Sequence, residues 1–251
     1  MTDLPPISAR GSGSAWLIQR FRRARWHMLL EHFPDLSEMR VVDLGGEVEA
    51  WSMAAVRPAQ LVLVNLHSVA KTVLHEHEWI SSVMADACDR EVLAGENFDL
   101  VYSNSVVEHV GGHARRIAFA DTVHRLAPRH WVQTPNRYFP IEPHYWAPAA
   151  QLLPIGARAR FMRRWPSGTM RHAAGRDDWP ETAAGASKYP LESSDVPIGT
   201  VDIHHALRGA LSIELLTATE MQFYFPESVI LRDRFGGVTK SLVAVRGGRA
   251  L

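Results

Sequence analysis

In this chain of 251 residues, three segments that set histidine near a carboxylate are candidates for chemistry: Glu108-His109, Glu142-Pro143-His144 and Asp202-Ile203-His204-His205. An imidazole titrates near pH 6.5, so a carboxylate that orients it makes a base able to take a proton close to neutrality. Each pattern has a plainer reading beside this one. His144 can be packed in its Pro-rich loop with its nitrogens satisfied by backbone, and His109 can shape a pocket or cap the turn before Gly111. Asp202 fits an acid, a metal ligand or a helix N-cap.

A fourth pattern can hold a ligand. Val41-Val42-Asp43-Leu44-Gly45-Gly46 is a β-branched run stopped by glycines, which let a backbone approach a bound molecule closely. The turn lacks the GxGxxG of dinucleotide sites, no Walker A sequence is present, and Glu47 and Glu49 would repel a pyrophosphate placed there. A cofactor that is not a polyphosphate fits it better.

The elements that must position these groups alternate. After a helix over AWLIQRFRRARWHMLLEHF, with Trp16, Leu17, Phe21, Ala24, Met28 and Leu29 on one apolar stripe, strand-like runs follow at RVVDLGG, 61–66, 81–86, 98–104 and 130–134. Helical stretches lie between them, including 113–127, where Ile117, Val123 and Leu126 can share a buried stripe. Such alternation predicts an α/β fold with a doubly wound, parallel sheet and right-handed crossovers. The rhythm then breaks from Tyr138 to Thr200, which holds eight of the 15 prolines and the cluster Arg158, Arg160, Arg163 and Arg164. A long irregular stretch of this kind is commonly a lid or a binding insertion. The pattern resumes with a helix over 211–225 and an antiparallel strand pair, 227–235 and 241–246. The domain reading is a flexible arm over 1–14 and one domain over 15–251, with 137–205 as its insertion.

Composition narrows the chemistry. Lys plus Arg and Asp plus Glu both total 27, which argues against binding nucleic acid by overall charge. No apolar run approaches the ~18–20 residues of a membrane span, the first 16 residues lack a secretory pattern, and the chain is expected to be cytoplasmic. Cys88 is the single cysteine, so neither an intramolecular disulfide nor a thiolate zinc cage is available.

Taken in order, four segments resemble the class I S-adenosylmethionine-dependent methyltransferases. The run 41–46 is similar to that family's first motif, Met84-Ala85-Asp86-Ala87 to its third-strand motif, 97–110 to its fourth-strand motif, and Gly236-Gly237-Val238-Thr239-Lys240-Ser241 to its final hairpin. The resemblance implies a Rossmann-like, mostly parallel seven-stranded sheet with an antiparallel C-terminal hairpin and a long insertion after strand five. It implies S-adenosyl-L-methionine as cofactor, met by Asp43, Gly45, Gly46, Asn65, Leu66, Asp86, Ala87, Asn104 and Ser105. Asn65 departs from the pattern, since the family usually places Asp or Glu there for the ribose hydroxyls; an amide can still accept through its oxygen and donate through its nitrogen.

The expected reaction is O-methylation of a small molecule, a carbohydrate or another biosynthetic intermediate. His144 is the first candidate general base with Glu142 orienting it, and His109 lies near the methyl position by resemblance. Tyr138, Tyr145, Trp146, Asp202 and His204 are candidate acceptor contacts. Trp131, Phe139, Trp165 and Trp179 add rings that suit a sugar or aromatic acceptor, or form the insertion's own core. Members of the broad family that methylate sugar or catechol hydroxyls can need Mg2+, so that ion stays open. The expected partner is a small-molecule or sugar acceptor, with no nucleic acid and no membrane span; a homodimer, N- or C-methylation, and a non-catalytic relative stay open.

Overall fold

The computed structural model describes residues 12–52, 54–69, 74–142, 144, 147–164 and 203–250. The chain begins with helix α1 (Ser12–His32), then β1 (Arg40–Leu44), α2 (Val48–Ser52), β2 (Gln60–Asn65), β3 (Ile80–Met84), β4 (Leu100–Asn104), α3 (His113–Leu126) and β5 (His130–Pro135). A short hairpin follows, β6 (Ile141–Glu142) with β7 (Ala147–Pro148), then α4 (Ile155–Arg164), α5 (Ile203–Leu211), α6 (Ala218–Tyr224), β8 (Val229–Phe235) and β9 (Val238–Arg246). Helix α1 takes in residues 12–14 of the expected arm.

Seven strands form one sheet in the order β3-β2-β1-β4-β5-β9-β8. β1 pairs in parallel with β2 and β4, and β9 runs antiparallel between β5 and β8. The chain reverses its direction of winding between β1 and β4, so the carboxyl ends of those two strands flank the crevice where open α/β sheets bind ligands.

Alternation along each strand explains the two cores, because successive side chains point to opposite faces. Val42, Leu44, Val62, Val64, Val101 and Val132 pack with Phe119, Val123 and Leu126 of α3 and with Met221 of α6. Val41, Leu61, Leu63, Leu100, Tyr102 and Trp131 pack on the other face with Leu29 of α1 and Trp51 of α2. A third core of smaller residues joins α4 and α5, where Ala159 and Met162 meet Ala206 and Ala210.

Three helical readings need correction. Ala24 of α1 is exposed and Leu29 carries the burial, with Trp26 stacked against Tyr102. In α3, Ile117 turns outward, and Arg116, Phe119 and Ala120 share the buried face with Val123 and Leu126. The expected helix over 211–225 is broken. Thr217 and Glu220 form a capping box that starts α6 afresh, while the backbone before it bonds elsewhere: Glu214 N–H donates to the Glu108 carbonyl and Arg137 N–H to the Leu216 carbonyl. That break matters for function, because segment 212–217 props the loops beyond β4 and β5. Among the described residues no helix is long and apolar enough to cross a membrane.

Candidate functional site

The glycine turn is built around a buried carboxylate. Asp43 Oδ2 accepts a 2.7 Å hydrogen bond from Trp51 Nε1, and Oδ1 has no hydrogen-bond partner. Burial pushes its carboxyl up to about 7, against the Trp51 bond and with help from the charge of Glu47. Gly45 sits at φ +83°, and a Cβ there would lie 2.4 Å from a methyl carbon of Val106. A Cβ on Gly46 would lie 1.9 Å from Asp43 Oδ2. The turn is therefore pressed between Asp43 and the loop after β4, and no side chain fits at either glycine.

Neighbouring polar groups are tied down. Asn65 Nδ2 donates to the Gly46 carbonyl at 2.8 Å, which uses one of its two N–H groups and turns the amide around that tether. Asp86 accepts both Arg115 Nη2 bonds, at 2.8 and 3.0 Å, and the Cys88 N–H at 2.9 Å. Leu66 and Met84, at the carboxyl ends of β2 and β3, are 46% and 67% exposed, so apolar surface lies open where a flat ring could cover it. Ala87 packs against the core beside them. Burial pushes the Cys88 thiol up to about 12, which makes it an inert packing residue.

The ends of β4 and β5 carry a different chemistry. Asn104 Oδ1 is buried without a partner, and Ser105 holds a left-handed φ of 58°, a strained conformation for a non-glycine residue. The chain turns there, with His109 N–H donating to the Val106 carbonyl, and presents Glu108 and His109 in sequence. Glu108 is 1% exposed; its Oε2 accepts from Thr134 Oγ1 at 2.9 Å and its Oε1 has no hydrogen-bond partner. His144 enters from the turn between β6 and β7. Its Nε2 lies 3.1 Å from His109 Nε2, with the rings 86° apart, and its Nδ1 donates to Glu142 Oε1 at 2.7 Å.

Electrostatics separate the two imidazoles. Burial and the facing His144 pull His109 down to about 4. Burial also pulls on His144, but the hydrogen bond and charge of Glu142, with Glu108 adding, raise it above the ordinary histidine value. Burial raises the Glu108 carboxyl, opposed by His144 and Thr134. One oxygen or ring nitrogen from each of Glu108, His109 and His144 lies within 4.8 Å of the others.

Of the residues singled out in the sequence, the structure brings His109, Glu142 and His144 together and gathers Asp43, Gly45, Gly46 and Asn65 into one turn. Glu108, named in the sequence beside His109, joins the first cluster, and Thr134 and Arg115 belong to these clusters with no earlier expectation. His204 is an exposed residue of α5 and is not among the converging groups. Trp131 is wholly buried in the sheet, so it is a core residue and not an acceptor contact, whereas Tyr138 is 66% exposed. Tyr145, Trp146, Trp165, Trp179 and Asp202 lie outside the described residues. A shallow depression lined by Arg57, His75 and Trp79 lies at the amino ends of β2 and β3, the edge opposite the glycine turn, and holds none of this chemistry.

No family model matches the chain, and no curated protein matches it in sequence. Solved structures do match. Magnesium protoporphyrin IX methyltransferase from Synechocystis PCC 6803 with bound S-adenosylhomocysteine superposes with a TM-score of 0.53 at 10% identity, over 98% of this chain and 90% of that one. Its sheet and this one share an architecture. The fold is that of the class I S-adenosylmethionine-dependent methyltransferases.

A protein described as a putative Zn-dependent alcohol dehydrogenase from Rhodobacter sphaeroides matches with a TM-score of 0.50 at 12% identity, over 90% of this chain and 89% of that one. An O-methyltransferase family protein from Burkholderia thailandensis gives 0.46 at 10% identity; this chain is covered over 95%, yet spans 61% of the length of that protein. Identities this low speak to fold alone, and the chemistry has to be argued from the site.

Proposed function

We propose that the chain is an S-adenosylmethionine-dependent O-methyltransferase acting on a hydroxyl of a small molecule, a carbohydrate or a similar biosynthetic intermediate. The observation that carries this reading is the Glu142–His144–His109 chain, which stands beyond β4 and β5 beside a glycine turn unable to accept any side chain. A nitrogen or sulfur nucleophile needs little help, whereas a hydroxyl must lose a proton as it attacks.

The turn fits the cofactor. Gly45 and Gly46 let the turn pack tightly on Val106 and Asp43, Asn65 keeps an amide oxygen for a ribose hydroxyl, and Leu66 with Met84 offers an apolar seat for a flat ring. Asn104 contributes an unpartnered oxygen at the end of β4, and Ser105 a strained backbone beside it. Asp86 is held by Arg115, so its contribution is to fix the loop that carries Ala87. When bound, S-adenosylmethionine supplies a methyl group on a sulfonium leaving group.

Everything else falls to the chain. Glu142 holds His144 Nδ1–H, so a proton taken from the acceptor enters at Nε2, the nitrogen that faces His109. His109 faces that nitrogen, so a proton arriving at the pair is shared along Nε2 to Nε2. Glu108 places carboxylate charge beside the imidazolium as it forms. The insertion over 137–205 is assigned to acceptor binding, with exposed Tyr138 presenting a flat face at its start. Mg2+ prefers oxygen ligands, and the converging donors here are two imidazoles and one carboxylate, a poor set for that ion.

A screen with isotope-labelled methyl donor over sugars, phenols and hydroxylated lipids tests the reading. Label transfer to a hydroxyl is the expected result. Transfer to nitrogen or carbon overturns the O-methylation, and failure to bind either cofactor form overturns the methyltransferase assignment.

A further inference from the structure

From the convergence of Glu108, His109 and His144, we infer that these three residues form a binding site for a divalent transition-metal ion of the Zn2+ or Co2+ type. Their donor atoms lie within 4.8 Å of one another, and the two Nε2 atoms are 3.1 Å apart. Two nitrogens bound to one ion at ~2.0–2.1 Å are separated by about 2.9 Å at a right angle and about 3.4 Å at the tetrahedral angle. The observed spacing falls between these limits.

The surroundings are those a metal site requires. Glu142 holds His144 Nδ1, and His109 also bonds the Ser212 backbone, so each ring has a partner that fixes its orientation. Thr134 holds one oxygen of Glu108 and the other is buried with no hydrogen-bond partner. An unpartnered carboxylate oxygen in an apolar setting is costly, and a cation would relieve that cost. Two imidazoles and one carboxylate favour borderline divalent ions over Mg2+ or Ca2+. Three protein ligands leave at least one position open, the pattern of catalytic and not structural sites.

This inference rests on the methyltransferase reading only for the metal's role. With both Nε2 atoms on the ion, an acceptor hydroxyl entering the open position would become more acidic and lose its proton to solvent water, and its oxygen would bond to the methyl carbon as the carbon–sulfur bond breaks and S-adenosylhomocysteine leaves. The pair that shares a proton in the metal-free chain would then hold the ion, and acceptors able to chelate, such as vicinal diols, would be preferred.

The test uses the full chain stripped with a chelator and titrated with Co2+. One Co2+ per chain is expected, with visible ligand-field bands that Zn2+ displaces. His109→Ala and Glu108→Gln, checked for folding by circular dichroism, should each weaken binding more than about 100-fold, and Glu142→Gln about 10–100-fold by releasing His144. His144→Ala, on the hairpin turn away from the sheet, gives a second ligand deletion should the Glu108 or His109 variants unfold. His27→Ala, at a surface His–Glu pair, should change nothing. Absence of the bands, or their survival in both His109→Ala and His144→Ala, overturns the site. Full turnover by stripped protein that still binds S-adenosylhomocysteine overturns the metal's role and leaves the methyltransferase reading standing; loss of cofactor binding with the Co2+ bands intact does the reverse.

Discussion

The two sides of the crevice differ in how their polar groups are satisfied. Beyond β1, β2 and β3, polar side chains are engaged mainly by the protein itself: Asp43 by Trp51, Asn65 by the Gly46 carbonyl, Asp86 by Arg115. Beyond β4 and β5 the groups are less settled, with unpartnered oxygens on Asn104 and Glu108 and two imidazoles meeting edge to face. The first side is tied by internal hydrogen bonds before any ligand arrives, which suits a cofactor that must be held in one pose. The second side keeps reactive capacity in reserve, which suits proton transfer to and from an acceptor.

The sharpest way to break this contrast is His144→Ala. It should lower turnover by about 10²–10⁴-fold and leave S-adenosylhomocysteine affinity within about twofold, because the base belongs to one side and the cofactor to the other. Steady-state kinetics with calorimetry separates the two effects. Equal loss of both would mean that the sides are not independent.

Asp43 gives the next largest effect, on stability. Its carboxyl is raised from 3.8 to about 7 in the folded chain, so the folded state holds the proton more tightly than the unfolded state. Its contribution is fully present below pH 3.8 and is lost as pH rises toward 7, by up to about 4 kcal/mol. Chemical denaturation between pH 4 and 8 should show this decline superimposed on other titrations, and Asp43→Asn should flatten it.

Much of this fold was legible in short β-branched runs. RVVDL, QLVLVN and LVYSN are too short for helices and too apolar for the surface, and each forms a central strand. The break at 212–217 was less visible. Thr217-Ala218-Thr219-Glu220 carries a capping-box spacing, but Glu214 and Leu216 leave the helix to pair with Glu108 and Arg137, which are distant in sequence. The site divides in the same way. Asp43, Gly45 and Gly46 are neighbours along the chain, so their turn could be read directly. Glu108 and His144 are 36 positions apart and meet only because the turn between β6 and β7 brings His144 to the loop after β4, and no local spacing encodes that meeting.

Smaller effects sharpen the first side of the comparison. Gly46→Ala forces a methyl group against Asp43 Oδ2, and Trp51 keeps that carboxylate from swinging away. The variant should lose about 1–3 kcal/mol of stability, measurable in urea. Asn65→Ala removes the tether to the Gly46 carbonyl and should weaken S-adenosylhomocysteine by about fivefold, near 1 kcal/mol. A larger loss at Asn65 would mean that its free oxygen also contacts the cofactor strongly.

Calorimetry of the full chain with S-adenosylmethionine, S-adenosylhomocysteine and NAD is the decisive measurement. Saturable one-to-one binding of both sulfur compounds and no heat with NAD are expected. Binding of NAD alone would contradict the methyltransferase assignment.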